Sequence, residues 1–180
     1  MALEHALLVS LREQAGSGIE LSRRFDKSIG FFWRATHQQI YRTLARMERD
    51  GWVSVETVAQ TGRPDKKVYT VTPRGAEVLA DWLAGDSLPE QMRLDIAVRI
   101  RGASFGDRGK VLAQIERHID DHQQRLDAYR EMAAAEYPDP AALTDGDLDR
   151  YLVLRGGILL EQGWIDWLTE YRDAHSGRDA

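Results

Sequence analysis

Residues 36–51, THQQIYRTLARMERDG, decide how this chain reads. Thr36 followed three residues later by Gln39 is a capping box, in which each side chain satisfies a backbone N–H that a first helical turn leaves unpaired. The pattern predicts a helix from there to Asp50, and Gly51 stands where a left-handed C-terminal cap is expected. At the helical repeat, Ile40, Leu44 and Met47 share one face and pack inward. The opposite face presents Gln38, Arg42, Arg46 and Arg49, with Gln39 at its flank. Gln can pair bidentately with adenine and Arg with guanine in the major groove. The N-terminal residues of a recognition helix reach the base edges. Thr36, His37, Gln38, Gln39 and Arg42 are therefore the candidate readers, and Arg46 and Arg49 the candidate phosphate contacts. On an isolated helix, three arginines more often just solvate a surface; the neighbouring segments reverse that balance.

Upstream, Leu3, Leu7 and Leu11 recur at helical spacing and predict an amphipathic helix to about Gln14, ended near Gly16. Ser17 and Glu20 form another capping box, so a second helix starts at Gly18 and runs to about Lys27, burying Leu21 and Phe25. An apolar connector at 28–35 follows, with Phe31, Phe32 and Trp33 assigned to the core and Arg34 to a phosphate contact. Downstream, WVSVETV (52–58) and KVYTVT (67–72) are rich in β-branched residues and flank AQTGRPDK (59–66), which turns the chain. They predict a hairpin whose tip carries Arg63, Lys66 and Lys67, cations suited to phosphates or the minor groove. Thr72-Pro73 then opens a fourth helix that ends at Gly85. Two helices joined by a short connector and backed by a two-stranded β wing make a winged helix-turn-helix over residues 1–85.

Residues 86–180 predict an α-helical dimerisation domain, so the whole chain reads as mainly α. A short helix is expected at about 89–101, broken between Gly102 and Gly106. A long helix at 107–135 places Leu112, Ile115, Ile119, His122, Leu126 and Tyr129 alternately 3 and 4 residues apart, a heptad seam. Pro138 and Pro140 end it. A last helix, about 145–173, has two apolar lines, one of them through Leu160, Trp164 and Trp167, and needs cover on two sides. The seam and these three residues are the expected homodimer contact. Trp164 and Trp167 also suggest an aromatic wall for a small planar effector, although hydrophobic packing is the commoner role for such a pair. Gly156-Gly157, inside the same helix, reads as close packing or a kink.

With 43% hydrophobic and 29% charged residues, the composition is that of a soluble globular protein. No cysteine is present, which excludes thiolate chemistry and fits a reducing cytoplasm. Neither a membrane span nor an export signal is read, and the chain is expected to be cytoplasmic. The net charge of −5 is unevenly divided. Residues 1–85 hold 12 Lys/Arg against 10 Asp/Glu, and residues 86–180 hold 12 against 19. The acidity thus lies away from the proposed DNA surface. His118 and His122 are four apart on one helical face, but no third ligand accompanies them, so no metal and no cofactor is expected. No nucleophile–base pair, paired-carboxylate motif or Gly-rich phosphate loop appears, which argues against an enzyme.

The stretches SGIELSRRF, FFWRATHQQIYRTLARMERDGWVSVE and KVYTVTPRGAEVLADWL resemble the PadR family of bacterial transcriptional regulators, and the second half resembles its larger-C-terminal-domain branch. Tyr41, Leu44, Met47 and Glu48 before Asp50-Gly51 match its recognition-helix signature. Tyr69, Thr70, Thr72 and Gly75 match its wing signature. The resemblance implies a homodimeric repressor at a palindromic operator, released by a phenolic acid or a hydrophobic drug. It also implies that Tyr41 contacts the DNA backbone. The rival from another class is a ligand-binding or protein-interaction module whose winged helix does not bind DNA.

Overall fold

The computed structural model describes residues 2–26, 35–59, 62, 65–87 and 93–176. The chain divides into two compact units, Met1–Pro89 and Glu90–Ala180. In the first, α1 (Ala2–Glu13), α2 (Gly18–Asp26) and α3 (His37–Arg49) precede the strands β1 (Val53–Val58) and β2 (Lys66–Val71), and α4 (Pro73–Ala84) follows.

Both capping boxes form. The Ser17 N–H donates to Glu20 Oε2 at 2.9 Å and the Glu20 N–H to Ser17 Oγ at 3.4 Å. The Thr36 N–H donates to Gln39 Oε1 at 2.8 Å and the Gln39 N–H to Thr36 Oγ1 at 3.2 Å. Arg24 closes the C-terminal end of α1: its Nη1 donates at 3.2 Å to the Ser10 carbonyl, which also accepts from the Gln14 N–H, and at 2.6 Å to the Gln14 carbonyl just past the helix end. The core gathers Leu7, Leu8 and Leu11 of α1, Leu21 and Phe25 of α2, Ile40, Leu44 and Met47 of α3, and Val53, Tyr69 and Leu79. Burying each large apolar side chain contributes roughly 1.5–3 kcal/mol, so the inward face of α3 is fixed by packing and its outward face follows. The aromatic connector residues Phe31, Phe32 and Trp33 lie outside the described residues.

The strands pair antiparallel, in register from Val53 opposite Val71 to Val58 opposite Lys66. Gly51 enters β1 with φ +73°, the left-handed cap expected of it. The hairpin is tied to the helices by a bridge in which the Gly16 N–H donates to the Tyr69 carbonyl at 3.2 Å and the Tyr69 N–H to the Gly16 carbonyl at 2.9 Å. Thr72 caps α4, accepting from the Gly75 N–H at 3.1 Å.

The second unit begins with α5 (Asp95–Gly102) and a 3₁₀ turn at Ala103–Phe105. The long helices α6 (Arg108–Glu136) and α7 (Asp145–Ser176) follow, separated by a 3₁₀ turn at Pro140–Ala142. Here α5 starts later than its expected position, with residues 88–92 outside the described set. At the other end, α7 continues to Ser176, where Ser176 Oγ donates to the Arg172 carbonyl at 2.9 Å and the Tyr171 and His175 rings sit 4.6 Å apart. Ile96 of α5 packs with Ile115 and Leu168.

The heptad seam of α6 corrects the sequence reading. Ile115, His122, Leu126 and Tyr129 are buried within the single chain, where α7 supplies buried Leu154, Gly157, Ile158 and Leu168. Leu112 and Ile119 are half-buried, and Ile119, Trp164 and Trp167 pack against the Ile96–Ile115–Leu168 cluster. Ile115, His122, Leu126 and Tyr129 thus fill the hairpin of their own chain, while Leu112, Ile119, Trp164 and Trp167 keep part of their surface. One layer of the hairpin is polar. His122 Nδ1 meets Glu161 Oε2, and Arg125 Nε donates to Glu161 Oε1 at 3.1 Å. The Trp164 indole stacks on the His122 ring with centroids 5.1 Å apart and planes 9° from parallel.

Candidate nucleic-acid interface

The outward face of α3 is the site that the fold leaves open. Ile40, Thr43, Leu44 and Met47 are buried, while His37, Gln38, Gln39, Tyr41, Arg42 and Arg49 are exposed. His37, Gln38, Tyr41 and Arg42 lie in the first turns, where a recognition helix meets base edges. Gln39 is exposed but engaged: its Oε1 accepts from both the N–H and the hydroxyl of Thr36. Thr36 and Gln39 therefore set the helix start, and Gln39 does not hold a free amide in the manner of Gln38.

Arg46 is placed differently from its expected role. Its Nη2 lies 3.2 Å from Glu4 Oε2, with the Glu4 side chain only 12% exposed. This pair ties α1 to α3, while the Arg46 side chain stays 41% exposed. Glu4 carries no local sequence signal for this partnership, because the two residues meet only once α1 packs on α3.

On the wing, Lys67 is exposed, whereas Lys66 Nζ lies 2.7 Å from Glu20 Oε1 and joins β2 to the first turn of α2. Arg34 and Arg63 lie outside the described residues. The Lys66 ammonium, followed by the N–H and hydroxyl of Ser17, lowers the Glu20 carboxyl from the usual 4.5 to about 2. A depressed carboxyl contributes stability that is fully present above its ordinary pKa and is lost as pH falls toward the folded value. A small acid-side loss of stability is thus expected between pH 4.5 and about 2, limited by solvent because the Lys66 and Glu20 side chains are 31% and 46% exposed. Lys66→Ala should move the Glu20 midpoint upward, toward the ordinary value, in a carboxyl NMR titration. An unmoved midpoint would contradict the pair's role.

Tyr41 stands 42% exposed beside Arg42. Tyr69 is buried behind the wing, and burial first, then the nearby Glu48 carboxylate and the Tyr41 phenol, raise its phenol above the ordinary value. Among the described residues, no group of three or more His, Asp or Glu could hold a metal ion. Nor is any of their helices long and apolar enough to cross a membrane.

Comparison with known proteins agrees with this geometry in both units. The profile of the transcriptional regulator PadR-like family matches residues 7–81, and that of the virulence activator alpha C-terminal domain matches residues 92–176. The chain is 50% identical over 184 residues to the "Probable transcriptional regulator Rv1176c" of Mycobacterium tuberculosis (strain ATCC 25618 / H37Rv), covering 97% of each. It is 28% identical over 171 residues to the negative transcriptional regulator PadR of Bacillus subtilis (strain 168), covering 92% of this chain and 93% of the relative. The structure of Bacillus subtilis PadR in complex with operator DNA superposes with a TM-score of 0.83 at 25% identity, over 97% of this chain and 99% of that one. The same protein in complex with p-coumaric acid superposes with a TM-score of 0.77 at 24% identity, over 97% and 98%, a likeness of fold. The chain belongs to the PadR-like family of transcriptional regulators, with the virulence-activator type of C-terminal domain, and is a regulator, not an enzyme.

Proposed function

We propose that this chain is a homodimeric repressor that reads a palindromic operator with α3 and grips the flanking backbone with the wing. The observation that carries this reading is the division of α3 into one enclosed apolar face and one open face with Gln38 and Arg42 in its first turns. Gln38 and Arg42 read bases, Lys67 and Arg49 hold phosphates, and Tyr41 lies on the backbone. In a dimer the two recognition helices would meet successive major grooves about 34 Å apart. Arg42→Ala is expected to cost about 1–3 kcal/mol on the preferred duplex and to relax its sequence preference, while Lys67→Ala should weaken all duplexes alike. Equal behaviour of the two variants on selected and random DNA would overturn the face assignment.

The dimer contact is reassigned to α7, where Leu152, Val153, Leu159 and Leu160 stay exposed within the single chain. Of the contacts expected from sequence, Leu160 alone falls in this group. Changing Leu159 and Leu160 together to Glu should convert the protein to a monomer in sedimentation and abolish tight operator binding. A double variant that remains dimeric would place the contact elsewhere. Release by a small aromatic effector is supported by the Bacillus subtilis relative. Trp164 and Trp167 pack against their own core but stay partly exposed, so an effector would meet their open edges. Calorimetric titration with p-coumaric acid tests this part. Binding that dissociates the protein from DNA supports it, and no binding removes the phenolic class.

A further inference from the structure

We propose that Gly18 is the seat of Tyr41, a positioning residue that fixes where this tyrosine meets the DNA backbone; the inference rests on the DNA-binding reading above. A Cβ built on Gly18 would lie 2.3 Å from Tyr41 Cε1, 2.7 Å from Cζ and 3.0 Å from the phenol oxygen. The ring therefore rests directly on the backbone at the start of α2, with its hydroxyl end over residue 18. Backbone conformation does not explain the glycine. The described glycines with positive φ are Gly51 and Gly62. Gly18 thus opens a helix in a conformation that any residue adopts, and helix propensity alone would favour alanine there. Space for the phenol is what remains.

The seat belongs to a larger connection. Gly16, two residues earlier, is bridged to Tyr69 of β2 by two backbone hydrogen bonds of 3.2 and 2.9 Å. Ser17, between them, caps α2 and shares Glu20 with Lys66 of the wing. One short turn, 16–18, therefore holds the wing on one side and the exposed tyrosine of the recognition helix on the other. A phenol that donates to phosphate fixes register without reading sequence, so its placement relative to the wing matters more than its presence. A methyl group at residue 18 would lift the ring and move the hydroxyl while leaving Gln38 and Arg42 in place.

A double-mutant cycle on the full chain tests this, using the duplex of its own promoter region and a random duplex of equal length. Gly18→Ala and Tyr41→Ala are each expected to weaken both duplexes about tenfold, and the double variant should bind no more weakly than Tyr41→Ala alone. Additive losses, or full binding by Gly18→Ala, overturn the inference. Melting supplies a readout that needs no DNA: the gain in helix propensity from Gly18→Ala should be smaller in the parent, where the Tyr41 ring must be displaced, than in the Tyr41→Ala background. An equal effect of Gly18→Ala on melting in the parent and in the Tyr41→Ala background rejects the seat. Absence of DNA binding by the unaltered chain sinks the DNA reading, whereas coupling in melting still tests the contact itself.

Discussion

Gly75→Ala is expected to destabilise the first unit by about 3 kcal/mol, at the upper end of what overpacking a close-packed site costs. Gly75 is buried in the first turn of α4, and a Cβ there would lie 2.1 Å from the Trp52 carbonyl oxygen, 2.9 Å from its carbon and 3.1 Å from its Cα. That oxygen is not free to move aside. The Thr72 N–H donates to it at 3.0 Å and Thr72 Oγ1 at 3.1 Å, while Thr72 Oγ1 also reaches the Gly51 carbonyl at 2.6 Å. Relief would require α4 to swing away from β1, disturbing the stack of His5 on Trp82, whose rings lie 4.5 Å apart and 7° from parallel. Helix propensity acts in the opposite direction, favouring Ala by about 1 kcal/mol, so a clear loss isolates the steric cause. Urea unfolding checks it. A variant as stable as the parent would mean that the helix does not approach Trp52 so closely.

Glu161→Ala is expected to cost about 1–3 kcal/mol, the range for leaving charged hydrogen-bond partners unmatched in a partly buried layer. The Glu161 and His122 side chains are 14% and 11% exposed, and Arg125 bonds the same carboxylate. Without it, Arg125 Nη2 is left 2.7 Å from His122 Nδ1 with no anion between. Hydrogen exchange should show the loss at the amides of α6 and α7. The control is Glu161→Met combined with His122→Leu and Arg125→Met, which replaces the whole polar layer by apolar volume and should recover most of the stability. If Glu161→Ala exchanges as slowly as the parent, the layer contributes nothing. This layer also bears on specificity of assembly: a single polar layer in a heptad seam favours the one register in which its partners meet.

Local signals made the first unit legible. Ser17–Glu20 and Thr36–Gln39 each declare a helix start within four residues, Gly51 declares a stop, and the period-two segments around 59–66 declare the hairpin. The open face of α3 follows from the spacing of Ile40, Leu44 and Met47. What could not be read depends on residues far apart in sequence. Glu4 with Arg46, Glu20 with Lys66 and Gly18 with Tyr41 meet only after folding, and each changes the role of a residue named from sequence. The α6 seam was legible as a heptad, but periodicity does not say which helix fills it. An antiparallel partner in the same chain and a second subunit present the same pattern, and here the buried face of α7 packs on the seam.

The central claim is tested most directly by the affinity of the unaltered protein for its own promoter duplex, measured against salt. A winged helix that neutralises several phosphates should lose affinity linearly in log–log form, with a slope of about −0.9 per phosphate contact. Between 50 and 200 mM salt, 6–10 such contacts correspond to a loss of roughly 10³–10⁵. The account predicts that steep fall, together with tighter binding to the promoter than to random DNA at every salt concentration. Binding that ignores salt, or no binding at low salt, would contradict it.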